Sequence, residues 1–407
     1  MRKSIYIFIA FVLSLKFWDI SFIVTKLPPD VILVFSWAWI MFGVFYFNAD
    51  TKRLKSLNSF KYSKVLVYIF LGVLISMFTA YYFGKQSLIV TLISQRTIYS
   101  FIFLPAILFI QPTEKDIINA LRWVTGITMI VWVIMHINPG FVYIDESMLE
   151  KVVVEKETLT TKLAFYVNGI YYVIFYAYYK MGEYIKRFTW DDFIEASLVV
   201  FFILLYQNRS MILMIAPIYV YTLFKFRSEY KSTIIAVLSI LLVLVVIFTS
   251  DIWLLLINNT QKDLNEPGYN RWLAVYYYFG HYSPNWFCYV FGNGYPSGGK
   301  SPLGNLMWAN FAKGIFASDL GMIGMWVDFG IIPLIGIYSV VINVLRKRIF
   351  PLYLKFICLH VLLVPTIFHF WLDPCISFFV VIFYLYAYYT EQNKKIIQYA
   401  RSNNSQL

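Results

Sequence analysis

Charged and reactive side chains are scarce in this sequence. Asp, Glu, Lys and Arg make up 14% of the 407 residues, and only four histidines and three cysteines are present. The cysteines are too few and too scattered for a disulfide framework or a zinc site. No internal repeat occurs at any spacing, which counts against transporters built from repeated halves. The composition therefore excludes a disulfide-rich secreted domain and departs far from that of a soluble domain.

Long hydrophobic runs dominate the sequence instead. Hydrophobic residues make up 60% of the chain, and the mean hydropathy is +0.66. A helix needs about 20 apolar residues to cross a bilayer core, and this measure predicts an all-α polytopic protein with about twelve transmembrane helices. The predicted spans include 4–25, 64–84, 88–110, 117–137 and 232–249. We expect residues 1–407 to form a single integral membrane domain. No small-residue cleavage site follows the apolar N-terminus, so we interpret it as a retained first span.

The connectors between the apolar runs differ in charge, and this difference predicts the topology. Lys and Arg cluster in every second connector, which places those connectors and both termini in the cytoplasm. The same distribution accounts for the net charge of +12 without nucleic acid as a partner. The long interval 250–319, between helices 9 and 10, then faces outward. In the inner membrane of a bacterium this loop is periplasmic, where ATP is absent and the substrate must already be activated.

Few side chains on the predicted outer face can carry chemistry. Arg209 lies in a short polar turn, and its planar guanidinium suits bidentate contact with a phosphate or diphosphate. Arg271 opens an aromatic stretch of the long loop that is typical of an amphipathic helix at the membrane interface. Arg96 lies in the predicted fourth span, about 12 Å from its outer end, and is a candidate deeper cation. His281 and Asp319 are the candidate proton acceptors. Interfacial arginines that meet lipid phosphates, and an aromatic belt, remain the alternative interpretation.

One loop segment matches the nucleotide P-loop pattern. Residues 294–301 read GYPSGGKS, but the pattern carries meaning only between a buried strand and the N-terminus of a helix. Pro302 and Gly304 follow directly, and the predicted topology puts the segment outside the cell. The sequence therefore predicts a flexible glycine-rich turn and no nucleotide.

Several stretches together resemble the bacterial O-antigen polymerase (Wzy-type) and O-antigen ligase superfamily. They are YQNRSMILM, NRWLAVYYYF, FGNGYPS and SDLGMIGMWVDFGIIPLIG, in that order along the chain. The resemblance implies an inverting glycosyl transfer from an undecaprenyl-diphosphate-linked oligosaccharide, without a metal ion or other cofactor. It implies that Arg209 and Arg271 hold the diphosphate, and that membrane lipids and a chain-length regulator are further partners.

The resemblance leaves more than one function open. Many members, notably the ligases, carry a histidine near the end of the loop, where this sequence has Ser318 and Asp319. We therefore expect a polymerase of lipid-linked repeat units, with a ligase that moves glycan onto lipid A core as the closest alternative. A lipid-linked oligosaccharide flippase is an alternative of another class. It predicts that Lys16, Asp19 and Arg96 matter while the loop tolerates change.

Overall fold

The protein is all-helical in the computed structural model, which describes residues 1–47, 64–142, 169–206, 209–234, 261, 270–299, 301–368 and 373–404. One isolated bridge, between Ile20 and Val142, is the only β contact in these ranges. The α-helices of six or more residues in these ranges are α1 (Lys3–Ser14), α2 (Pro29–Tyr46), α3 (Lys64–Tyr82), α4 (Leu88–Ser94), α5 (Phe103–Ile110), α6 (Glu114–Ile137), α7 (Ile170–Lys186), α8 (Trp190–Leu205), α9 (Arg209–Lys225), α10 (Asn270–Tyr277), α11 (Trp286–Phe291), α12 (Pro302–Phe311), α13 (Met322–Phe329), α14 (Ile331–Arg346), α15 (Leu352–Leu363) and α16 (Asp373–Asn404).

The longest apolar helices are those of a membrane-embedded protein. Four helices in the described ranges, α2, α3, α6 and α16, are long and apolar enough to cross a bilayer. A fifth candidate is α4 together with residues 96–110, although this pair is bent by 64°. Shorter apolar helices are α1, most of α9, α14 and α15. The twelve-span count stays a prediction, and most of the predicted ninth span, 232–249, lies outside the described residues.

The predicted first span is broken. α1 ends at Ser14, and Lys16, Phe17, Trp18 and Asp19 all have φ between 49° and 58°. A left-handed backbone costs about 1–2 kcal/mol per non-glycine residue, so other contacts must hold the turn. One of them is the indole Nε1 of Trp18, which donates to Thr128 Oγ1 at 2.8 Å. Lys16 and Asp19 are three residues apart, a spacing that predicts one shared helical face and a mutual ion pair. The predicted shared face is wrong, because the helix does not continue through them.

Two helices, α7 and α16, form the centre of the bundle. Residues 170–178 and 375–385 are buried on every side, as expected for helices that are apolar all round. α1 and α6 pack together, α6 and α15 pack on α7, and α14 packs along α3. The α3–α14 crossing is close, because a Cβ added to Gly336 would lie 2.7 Å from Tyr68 Cβ. Small residues permit such close packing between membrane helices.

An ion-pair network joins α6, α7 and α8. Lys180 Nζ lies 2.6 Å from Asp192 Oδ1 and 3.0 Å from Glu195 Oε2, and Arg122 pairs with Glu195. Burial opposes ionisation of Asp192, but hydrogen bonds from Lys180 and Thr189 outweigh it and lower the pKa of Asp192. The network keeps these carboxylates charged at one end of the bundle.

Candidate functional site

The glycine segment 292–301 is attached to the helical bundle. The backbone amides of Asn293 and Gly294 donate to Val327 O at 2.9 Å and to Asp328 O at 2.8 Å. These carbonyls belong to the last turn of α13, where a helix leaves acceptors without helical partners. The start of the predicted glycine-rich turn is therefore attached to the bundle, and its flexibility stays a prediction.

The buried side chain of Gln86 holds the rest of the segment. Its Nε2 donates to Tyr295 O at 2.8 Å and to Thr91 Oγ1 at 2.9 Å. Its Oε1 accepts from Ser297 N at 2.8 Å and from Ser301 Oγ at 2.7 Å. Ser301 is also the N-cap residue of α12. Three groups of the P-loop-like stretch, Tyr295 O, Ser297 N and Ser301 Oγ, are thus committed to bonds within the protein.

We expect Gly294→Ala to destabilise the protein much more than Gly299→Ala. Both glycines have positive φ, 81° and 67°, so both substitutions incur a left-handed cost of about 1–2 kcal/mol. Only at Gly294 would the new Cβ lie 2.4 Å from Ala80 Cβ and 2.7 Å from Ser76 O, whereas at Gly299 nothing lies within 4 Å. Thermal unfolding of the purified variants measures the difference. Equal losses at the two positions would show that segment 292–301 is not packed on α3.

A buried carboxyl group lies at the end of α13, within electrostatic range of three tyrosines of the predicted loop. Asp328 is 4% exposed, and Tyr278, Tyr282 and Tyr295 lie close enough to sense its charge. Burial, and after it the negative charge of Asp328, raises the pKa of Tyr282 well above its usual value. We call these four residues the Asp328–tyrosine cluster. It joins the predicted long loop to α13.

Sequence reasoning missed Asp328, although a signal was present. An acidic residue interrupts the apolar run GMIGMWVDFGIIPLIG. An ionisable residue is costly in such a run, so its presence indicates a function. α13 has eight residues and α14 begins after Gly330, so this run is not one continuous helix. The carboxyl group of Asp328 and the neighbouring phenols can donate or accept protons.

Arg96 pairs with a residue in the first turn of α2, at the end of a candidate span. Its Nη2 and Nε lie 2.6 Å and 3.0 Å from Oδ1 of Asp30, in the first turn of α2. The expected depth of about 12 Å assumed a straight helix, but the chain bends by 64° at this point. Burial and the charge of Asp328 raise the pKa of Tyr295 to about 12, and the positive charge of Arg96 opposes this. The contact of Arg96 that the structure shows directly is the one with Asp30.

Arg209, Arg271 and Asp319 lie on elements that are linked to one another by direct contacts. α10 contains Arg271 and contacts the turn Ala317–Leu320, which contains Asp319. That turn contacts Pro365–Ile367, which also contacts α9, whose first residue is Arg209. The structure describes the backbones of these three residues and not their side chains. Their placement supports a shared site, and their roles stay predictions.

His281 lies at the surface of the same region. It belongs to the π-helical turn Tyr278–Tyr282, is exposed, and its ring centre lies 5.0 Å from that of Tyr276. Its imidazole is therefore accessible to a bound molecule. Among the described residues, no three His, Cys, Asp or Glu side chains are grouped closely enough to hold a metal ion. Comparisons of the chain with protein-family models, with curated proteins and with solved structures found no match.

Proposed function

We propose that this protein polymerises lipid-linked oligosaccharide repeat units of O-antigen or a related surface polysaccharide. It acts as an inverting glycosyltransferase at the outer leaflet of a bacterial inner membrane, with loop 250–319 in the periplasm and both termini in the cytoplasm. The observation that carries the proposal is the contact between α10, which bears Arg271, and the turn that bears Asp319. A predicted diphosphate ligand and a predicted base thereby lie on neighbouring elements.

The proposed reaction uses a donor linked to undecaprenyl diphosphate. An acceptor hydroxyl oxygen attacks the anomeric carbon of the donor sugar and forms the new glycosidic bond. The bond from that carbon to the diphosphate oxygen breaks, and undecaprenyl diphosphate leaves with the electron pair. The hydroxyl proton passes to Asp319 or His281. No metal ion, nucleotide sugar or other cofactor takes part in this scheme.

Arginine side chains supply the electrostatic part of the proposed catalysis. The guanidinium groups of Arg209 and Arg271 face the diphosphate oxygens, where negative charge grows in the transition state. A planar guanidinium group can donate two parallel hydrogen bonds to two diphosphate oxygens. Arg96, whose charge reaches Tyr295 on segment 292–301, acts as a third cation at the edge of the site.

Deletion of the gene in its host tests the proposal through the banding of surface glycan. We expect core molecules capped by a single repeat unit, and restoration of the ladder by a plasmid copy. Unattached polymer would identify a ligase that acts on lipid A core, and undecorated core with intermediates at the cytoplasmic face would identify a flippase. Either of these two patterns would overturn the polymerase proposal.

A further inference from the structure

The turn that contains Asp319 packs on a small apolar cluster that is separate from the main core. Members of this cluster are Ala274 of α10, Tyr278, Tyr282, Leu320 and Val327 of α13. Ala317 packs against them. The turn Ala317–Leu320 is therefore held at both its first and its last residue, and Ser318 and Asp319 form its middle.

Tyr278 brings a hydroxyl group into this cluster beside the turn. It is 3% exposed and opens the π-helical turn Tyr278–Tyr282, directly after α10, and π-helical turns are frequent at functional sites. Burial, and after it the negative charge of Asp328, raises the pKa of Tyr278, whereas hydrogen bonding from the Ala317 backbone and the Asn310 side chain opposes this rise. The hydroxyl at the end of α10 therefore lies within reach of the first residue of the turn.

Asn310 forms a second link to the same turn. It lies in the last turn of α12 and is 1% exposed. Its carbonyl oxygen accepts from Lys313 N at 3.0 Å and from Ile315 N at 2.9 Å, so it fixes the chain that leads into the turn. Its buried Nδ2 completes no hydrogen bond among the described residues, and the Tyr278 hydroxyl lies beside it. Hydrogen bonds of active sites are often long without substrate and shorten when it binds, so this pair has room to tighten.

The cluster is attached to the bundle through α13. Val327 belongs to the cluster, and its carbonyl oxygen accepts from Asn293 N at 2.9 Å and from Asn293 Nδ2 at 3.0 Å. α13 contacts the turn Ala317–Leu320 and is followed after Gly330 by α14, which packs along α3. Tyr278 and the turn that bears Asp319 thus share one support.

We propose that Tyr278 is a positioning residue for the transfer, whose hydroxyl holds the turn that bears Asp319 against α10, which bears Arg271. The proposal rests on the proposed function, because that function makes Asp319 a proton acceptor and Arg271 a ligand of the diphosphate. A proton acceptor acts only within hydrogen-bond reach of the hydroxyl that it deprotonates. A displacement of about 1 Å can cost about 10²-fold in rate, so loss of the holding bond slows the transfer without weakening donor binding.

Tyr278→Phe in the full-length protein tests the proposal, because it removes one oxygen atom and keeps the ring. We expect kcat for transfer between lipid-linked repeat units to fall about tenfold, with an unchanged KM for the donor. Tyr282→Phe is the matched control, since Tyr282 lies in the same cluster, its ring centre is 4.9 Å from that of Tyr278, and it also senses Asp328. It should change neither constant by more than about twofold. Equal falls in kcat for the two variants would overturn the proposal.

A double-mutant cycle shows whether Tyr278 acts through Asp319. Asp319→Asn removes the proposed proton acceptor, and in that background Tyr278→Phe should cost less than about twofold more, because residues that act as one unit are not additive. A further tenfold loss in that background would show that Tyr278 acts independently, and would overturn the proposal. An Asp319→Asn variant of full rate would also overturn it, and would leave the proposed function with His281 as the proton acceptor.

Hydrogen exchange separates a failure of this proposal from a failure of the proposed function, because it needs no substrate. In nanodiscs, the amides of residues 315–321 should exchange about tenfold faster in Tyr278→Phe than in the unmodified protein, and not in Tyr282→Phe. Unchanged exchange would overturn the hold on the turn, whatever the rate of transfer. Faster exchange, together with no transfer by the unmodified protein, would confirm the hold and overturn the proposed function.

Discussion

Arg209→Ala and Arg271→Ala are each expected to lower the rate of glycan transfer by about 10²- to 10³-fold, the usual effect of removing one preorganised electrostatic donor. The physical reason is that each guanidinium stabilises charge that grows on the leaving diphosphate, so its loss acts mainly on the transition state. In vitro transfer between lipid-linked repeat units measures the rate. The length and abundance of surface polymer give the corresponding result in cells.

Lysine substitutions and a distant arginine provide the controls for this prediction. Arg209→Lys and Arg271→Lys keep the charge and lose the planar fork, so we expect rates between those of the alanine variants and the unmodified protein. Arg346→Ala, at the end of α14 on the predicted cytoplasmic side, should leave transfer unchanged. Polymer of normal length and abundance from both alanine variants would rule out the proposed enzymatic role of these arginines.

Gln86→Leu is expected to destabilise the protein by more than about 3 kcal/mol. Four partner groups would lose a bond, three of them in segment 292–301, and each unsatisfied buried group costs about 1–3 kcal/mol. The groups in that segment are Tyr295 O, Ser297 N and Ser301 Oγ, all bonded to the Gln86 amide. Thermal unfolding measures the loss of stability. Limited proteolysis should also show earlier cleavage within segment 292–301, which this amide attaches to the bundle.

Gln95→Leu is a matched control for the Gln86 variant. Gln95 is 1% exposed, its Oε1 is buried without a partner, and its Nε2 makes one bond of 3.2 Å to Tyr99 Oη. Tyr99 Oη also donates to Leu92 O, so it keeps a hydrogen bond when the Gln95 side chain is replaced. We expect a change below about 1 kcal/mol. Similar losses for the two leucine variants would show that the bonds to segment 292–301 contribute little.

Helices of the bundle were predictable where an apolar run is long and uninterrupted. The predicted span 64–84 corresponds to α3, and 117–137 falls within α6. The interruptions were not predictable in the same way. Hydropathy is averaged over a window of about 20 residues. The turn Lys16–Asp19, the bend at Arg96 and the break at Gly330 each involve few residues, so they change this average very little.

The candidate site was predictable in its residue types and not in its contacts. Arg96 was recognised because a cation is unusual in an apolar run, but its partner Asp30 is 66 positions away. No sequence signal marks Gln86, because a single glutamine in a short polar connector is common in helical proteins. Its bonds to residues 295–301 depend on where the loop docks. Asp328 had a sequence signal, and only its burial among loop tyrosines shows which elements it joins.

The sequence by itself determined that this protein is helical and membrane-embedded, because its apolar runs are far longer than a soluble core requires. It also determined which cations and carboxylates are available for chemistry. Only the tertiary structure decided that segment 292–301 is docked on α3 and α13, that Arg96 pairs with Asp30, and that residues of α1 and α2 line an apolar groove. These features arise between residues that are distant in sequence, so they depend on helix packing and bends that local patterns do not encode.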